Sequence, residues 1–176
     1  MRIVAGELGG RRLASPVHGV RVRPTSDRVR EAMFSILGDV SGARVLDLFC
    51  GTGALAIEAL SRGAAEATLV DTDTRPAERN VSALELQERA EIVRADARAF
   101  LRRSGPPYEL VFCDPPYRLA DRLGPELDQL LPPRLAPGAR VIVESATGKP
   151  IDLALPVVRE RAYGDTMVRV HAASGR

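Results

Sequence analysis

The chain has 176 residues, of which 45% are hydrophobic and 27% charged, with 25 basic and 23 acidic side chains and a formal charge of +2. That is the composition of one compact domain with a sizeable core, and it excludes a disordered chain. No run approaches the roughly 20 apolar residues of a bilayer span, the opening Met1–Glu7 has no apolar stretch of a secretory signal, and two cysteines support neither a disulfide framework nor a metal cluster. A cytoplasmic, metal-independent protein is expected.

The charge is unevenly placed. Residues 1–30 hold Arg2, Arg11, Arg12, Arg21, Arg23, Arg28 and Arg30 against Glu7 and Asp27, a net +5, so the remainder carries −3. A basic arm on a mildly acidic body is the pattern of a polyanion-binding extension. A GC-rich genome explains why the cations are Arg, Lys149 being the one lysine. It does not explain why they cluster.

In chain order, the apolar stubs 2–5 and 11–14 around Gly6, Gly9 and Gly10 predict a short β-hairpin. A polar stretch through Pro16, Gly19 and Pro24 follows. Ser26 and Asp27 cap a helix whose apolar stripe is Val29, Ala32, Met33, Ile36 and Leu37. Strands are then predicted at 44–48, 67–70, 91–94, 109–113 and 139–143, and helices at 53–62, 74–88, 97–103 and 121–131. Two adjacent strands, 157–162 and 167–171, end the chain around a Tyr163–Thr166 turn. The alternation requires an α/β fold, a mostly parallel seven-stranded sheet with right-handed crossovers and an antiparallel C-terminal hairpin at one edge. A small hairpin and helix extension precedes it. The expected division is a basic arm, residues 1–25, and an α/β domain, residues 26–176.

Four segments at strand ends carry the chemistry. In Asp47-Leu48-Phe49-Cys50-Gly51-Thr52-Gly53-Ala54 the glycines allow a sharp turn and close approach of a ligand to the backbone. The next helix then offers free N–H groups. Ala56 stands where a dinucleotide fingerprint would carry its third glycine, which does not exclude NAD, but a carboxylate at Asp47 suits a cationic ligand better than a pyrophosphate. Asp71, followed by Thr72, ends the second strand about 20 residues past the glycines, the spacing for accepting two ribose hydroxyls. Asp96, followed by Ala97, is placed to accept from an adenine amino group or to cap a helix, two compatible roles. After the fourth strand comes Asp114-Pro115-Pro116-Tyr117. Its two prolines stiffen the loop, Asp114 and the Pro115 carbonyl can both accept from one exocyclic amino group, and Tyr117 can stack on a splayed-out base.

These motifs, in this order, resemble those of S-adenosylmethionine-dependent amino-methyltransferases. More narrowly, Arg23-Pro24-Thr25-Ser26-Asp27-Arg28-Val29-Arg30-Glu31, Ala59–Ala64, Tyr163–Thr166 and the opening Ile3–Leu13 resemble the bacterial 16S rRNA guanine-N2 methyltransferase family over nearly the whole chain. The resemblance implies the Rossmann-like class I methyltransferase fold and methyl transfer from S-adenosyl-L-methionine to N2 of a guanine in 16S rRNA, within an assembling small subunit. It implies a monomer without membrane or metal partners. Asp47, Phe49, Gly51, Thr52, Gly53, Asp71, Thr72, Asp96 and Ala97 would hold the cofactor, and Asp114, Pro115, Pro116 and Tyr117 the target amine. Arg2, Arg11, Arg12, Arg23, Thr25, Arg28, Arg30 and Arg118 would meet RNA, although Arg28 and Arg30 could equally form a solvated helix face. Position 71 departs from the family pattern, with Asp where many relatives carry Glu.

A guanine amino lone pair is delocalised into the ring, so orienting it by hydrogen bonds is the lever, and the methylated cation loses its proton without a tuned base. Cys50 and Cys113 are expected as core fillers rather than nucleophiles, and His18 and His171 as exposed or structural. A DNA adenine-N6 methyltransferase shares the four-residue loop but needs a target-recognition segment for which 176 residues leave little room. A protein glutamine methyltransferase would prefer Asn at position 114. A non-catalytic rRNA-binding assembly factor would be expected to have lost some of these acids and glycines.

Overall fold

A computed structural model describes residues 1–14, 27–116 and 119–175. The sheet is built from β1 (Arg44–Leu48), β2 (Glu66–Asp71), β3 (Ala90–Arg94), β4 (Tyr108–Cys113), β5 (Leu135–Ala146), β6 (Val157–Tyr163) and β7 (Thr166–Ala172). Its order is β3-β2-β1-β4-β5-β7-β6. The pairs from β3 to β5 are parallel, whereas β7 pairs antiparallel with both β5 and β6. This is the seven-stranded sheet expected, with the C-terminal hairpin at its edge. The apolar runs of β1 and β4 are buried on both faces, as parallel strands between helices must be.

Period-2 alternation divides the core. Val45, Leu69, Leu110, Phe112 and Ile142 pack with α1 (Asp27–Leu37), α2 (Ala54–Ser61) and α3 (Arg75–Ala83). Leu46, Leu48, Val111, Cys113, Val141 and Val143 pack with α4 (Ala97–Leu101) and α5 (Ala120–Leu130). The chain leaves β1 toward β2 and β3, then crosses back to lay β4 and β5 on the other side of β1. Such a reversal opens a crevice at the carboxyl ends of β1 and β4.

Three elements depart from expectation. The buried face of α1 is Val29, Arg30, Met33, Phe34 and Leu37, with Ala32 and Ile36 only half-buried. Arg30 is the reason: 0% exposed, its Nη2 donates to Asp27 (2.9 Å) and to the Arg2 carbonyl, and its Nε lies 3.5 Å from Glu58 Oε2. On the same buried face Phe34 packs on Phe112, centroids 5.6 Å apart, beneath the Arg62 guanidinium at 4.7 Å. Second, α3 stops at Ala83 rather than 88. Glu85 adopts φ 59°, and the N–H groups of Glu85 and Leu86 donate to Ser82 and Val81, closing a Schellman turn that returns Leu86 to the core. Third, β5 begins at Leu135, because a bulge between its pairings with Tyr108 and Leu110 absorbs Pro137 and Gly138.

The expected N-terminal hairpin is present in short form: an antiparallel bridge of Arg2 with Arg12 is flanked by bonds from the N–H groups of Ile3, Gly10 and Leu13 to the carbonyls of Arg11 (3.0 Å), Ile3 (2.8 Å) and Met1 (3.1 Å). Ile3 and Leu13 are buried in the same cluster as α1 to α3. The Glu58 carboxylate, on α2, accepts the N–H groups of Val4 (2.7 Å) and Ala5 (3.0 Å) and the Arg62 Nε (2.8 Å). Ser61 accepts from Glu7 and Leu8 and donates to the Ala5 carbonyl. Gly6, at φ 84°, lies so close to α2 that a Cβ would sit 1.8 Å from the Ser61 carbonyl oxygen. Gly6→Ala must therefore move the backbone as well as adopt a left-handed conformation. The expected loss is about 3 kcal/mol in urea denaturation; a change under about 0.5 kcal/mol would mean that residues 4–8 are not docked this way.

Candidate active site

The glycine turn is tied down on every side. The N–H of Cys50 donates to the Val70 carbonyl (3.1 Å) and that of Gly53 to the Cys50 carbonyl (2.7 Å). The N–H of Gly51 donates to Asp71 Oδ2 (2.9 Å), and Asn80 Nδ2, from α3, donates to the Thr52 carbonyl (2.9 Å). Gly53 caps α2 at φ 76°, where a Cβ would lie 2.7 Å from Leu69 Cδ2, so only glycine lets the helix start this close to β2. Phe49, a non-glycine residue at φ 62°, opens the turn, and such strain concentrates at binding sites. Beside Gly51 the Cβ direction meets open space.

Asp47 lies beneath the turn. It is 1% exposed and accepts the Ala56 N–H (3.1 Å) in the first turn of α2. Burial, reinforced by the negative charge of Asp71 and only partly offset by that hydrogen bond, pushes its carboxyl up to about 7. Because this folded value lies above the ordinary 3.8, the native state holds a proton that the unfolded chain has lost. Stability should then fall as pH rises from about 4 to 7. Asp47→Asn should flatten that slope in denaturation curves at pH 5 and pH 8; an unchanged slope would contradict a strained carboxylate under the turn.

The other acids line the same edge. Half-buried Asp71 accepts from Gly51 and, through Oδ1, from the Asp73 N–H (3.1 Å), next to exposed Thr72. Asp96 caps α4, accepting the N–H groups of Arg98 (3.0 Å) and Ala99 (3.3 Å), with Ala97 buried behind it. In the register of the sheet Leu48 pairs with both Val70 and Cys113, so Phe49 and Asp114 leave neighbouring strands at the same height. Asp114 is half-buried, Pro115 buried and Pro116 exposed. The Pro116 carbonyl accepts the Leu119 N–H (2.8 Å).

Tyr117, Arg118, Arg23 and Thr25 lie outside the described residues. Arg2, Arg11, Arg12 and Arg28 are exposed, and Arg11 Nη2 reaches the Ala83 carbonyl (3.4 Å) at the end of α3. Arg30, expected at RNA, is corrected to an internal cation, since its pairing with Asp27 and Glu58 leaves it no surface. Cys50 and Cys113 are buried and unbridged, with burial raising both thiols and removing thiolate reactivity. His171 is structural, with Nδ1 2.9 Å from the Leu155 carbonyl and no exposure. Asn80 and Glu58 were not anticipated. Each is a buried polar residue within an apolar helix face, Asn80 beside Ala77 and Val81, and Glu58 between Ile57 and Ala59. That placement was the available clue.

The family described as Conserved hypothetical protein 95 matches residues 1–172. The chain is 38% identical to the ribosomal RNA small subunit methyltransferase D of Escherichia coli K12, over 97% of this chain and 89% of that protein. It is 34% identical to the protein of the same name from Haemophilus influenzae, over 86% and 81%. Among solved structures, the Escherichia coli yhhF chain superposes with TM-score 0.87 at 35% identity, covering 100% of this chain and 99% of that one. A Salinibacter ruber RNA methyltransferase, in complex with S-adenosyl-L-homocysteine, shares the fold at TM-score 0.66 and 19% identity, covering 87% and 95%. A match spanning the sheet, the glycine turn and the docked N-terminus makes this chain a member of the Conserved hypothetical protein 95 family, alongside the small subunit methyltransferase D proteins.

Proposed function

We propose that this protein transfers a methyl group from S-adenosyl-L-methionine to the exocyclic N2 of a guanine in small-subunit ribosomal RNA, presented within an assembling subunit. The observation that carries the reading is the register that sets Asp114 beside Phe49 at the switch point of the sheet. The relatives named as small-subunit rRNA methyltransferases support the substrate class.

The residues present fit the cofactor. The turn at 51–53 offers backbone next to open space, Asp71 stands half-buried beside it, and Asp96 is exposed at the next strand end. Gly51, Gly53 and Phe49 would shape the pocket, Asp71 with Thr72 would take the ribose hydroxyls, and Asp96 with Ala97 the adenine. Bound there, the cofactor supplies an electrophilic methyl carbon on a sulfonium. Asp47 acts from beneath by holding the first turn of α2.

Asp114 and the Pro115 carbonyl accept the two amino hydrogens of the guanine and aim its lone pair out of the ring plane. The two prolines stiffen the backbone that carries those acceptors, so part of the positioning would be in place before the base arrives. Tyr117 would stack on the base and Arg118 meet an adjacent phosphate. After transfer, the cationic amine is acidic enough to release its proton to water or Asp114.

The exposed cations Arg2, Arg11, Arg12 and Arg28 would track the phosphate backbone. Reversing Arg11 and Arg12 to Glu should weaken binding to small-subunit RNA and reduce the slope of log affinity against log salt by roughly 1–2. An unaltered slope would remove the arm from the RNA interface. The activity itself is tested with labelled methyl donor and purified small-subunit RNA, particles and DNA. Label in N2-methylguanine of the RNA or particle is expected; label in DNA adenine, or none in any substrate, would overturn the reading.

A further inference from the structure

We propose that Asn80 couples the cofactor turn to the basic span of residues 11–14, so that occupancy of one steadies the other. This rests on the reading of both sites given above, but its test does not require RNA.

Asn80 is 2% exposed on the buried face of α3. A carboxamide carries two N–H donors and one carbonyl oxygen, and this one uses all of them between two partners far apart in sequence. Nδ2 donates to the Thr52 carbonyl at 2.9 Å and to the Ala14 carbonyl at 3.3 Å, while Oδ1 accepts the Ala14 N–H at 2.8 Å. The side chain thus pairs with both main-chain polar groups of Ala14 as a neighbouring strand would. The same amide nitrogen grips the middle residue of the glycine turn.

No other hydrogen bond ties Ala14 down among the described residues, although it follows directly on Leu13, whose side chain is buried and whose N–H donates to the Met1 carbonyl. Residues 11–13 are held by the bridge of Arg2 with Arg12 and by main-chain bonds from Ile3 to Arg11 (3.0 Å), Arg11 to Leu8 (3.1 Å) and Leu13 to Met1 (3.1 Å), whereas the main-chain groups of Ala14 pair with Asn80. The exposed arginines Arg11 and Arg12 sit on that span. The turn is held at Thr52 by Asn80, at Gly51 by Asp71 and at Gly53 by Cys50. A ligand that adds contacts to the turn makes it costlier to withdraw the Thr52 carbonyl from Asn80 Nδ2, and a carboxamide held there keeps its two bonds to Ala14. By linkage, whatever immobilises the arm must favour the same ligand by an equal factor.

Hydrogen exchange measured by mass spectrometry, with and without saturating S-adenosylhomocysteine, tests this. In the unmodified protein the analogue should slow exchange of the amides of residues 11–14 by about fivefold or more, the lower end of ordinary site-to-site coupling. Asn80→Ala should abolish that arm protection. Because this variant removes a buried group, Ala14→Pro is the second probe: it deletes the donor to Asn80 Oδ1 and leaves α3 and the Thr52 contact untouched. It should lose the analogue-induced protection at residues 11–13 while still binding the analogue, with an affinity loss no larger than the coupling factor itself. A merely structural Asn80 would lower stability and leave the ratio of exchange rates unchanged. Arm protection that persists in Asn80→Ala, or is missing from the unmodified protein, overturns the coupling. Failure to methylate RNA with arm protection intact would instead contradict the proposed substrate and leave the coupling standing.

Discussion

Asp114→Ala is expected to lower single-turnover methyl transfer by about 10²–10³-fold, the cost of removing one positioned hydrogen-bonding group from a reacting centre. Affinity for S-adenosylhomocysteine in calorimetry should stay nearly unchanged. The split arises because Asp114 belongs to the loop after β4, whereas the turn that would hold the cofactor hangs on Asp47, Asp71, Asn80 and the carbonyl of Val70. Asp114→Asn keeps an acceptor oxygen of the same reach and should retain more turnover than Asp114→Ala. Turnover of Asp114→Ala within a few-fold of the parent would show that the amine is oriented by something else.

Glu58→Ala should be the most damaging single change to the fold. Glu58 and Arg30 are both 0% exposed, and the same carboxylate holds Val4, Ala5 and Arg62. Removing it leaves the buried Arg30 guanidinium with Asp27 but without Glu58, and strips two N–H groups of their acceptor. Breaking such a pair from one side costs about 3–5 kcal/mol, which for a chain of this length lowers Tm by on the order of 10 °C. Glu58→Leu combined with Arg30→Met removes both charges and should recover part of the loss, but the amides of Val4 and Ala5 remain without their acceptor. A Glu58→Ala variant that melts within about 2 °C of the parent would mean that the N-terminal segment is not anchored here.

The alternation of strands and helices between residues 44 and 143 was readable because each central strand is a short apolar run closed by a glycine or an acid. Those acids, Asp71, Asp96 and Asp114, fall at strand ends by simple counting, and the parallel topology then puts them on one edge. What could not be read depends on partners distant in the chain. Arg30 is indistinguishable from a solvated helix residue until Glu58 lies against it. The end of α3 is hidden because its left-handed residue is Glu85 rather than glycine. Asp47 reads as a ligand contact in sequence, and the Ala56 N–H that it also holds becomes visible only when α2 packs over β1. Asn80, 28 and 66 residues from its two partners, has meaning only in the folded chain.

Mass mapping of small-subunit rRNA from cells lacking the gene, rescued either with the unmodified gene or with the Asp114→Ala allele, bears most directly on the proposed chemistry. One guanine should lack a single methyl group in the deletion strain, regain it with the unmodified gene and remain bare with Asp114→Ala. Identical methylation in all three strains would contradict the account.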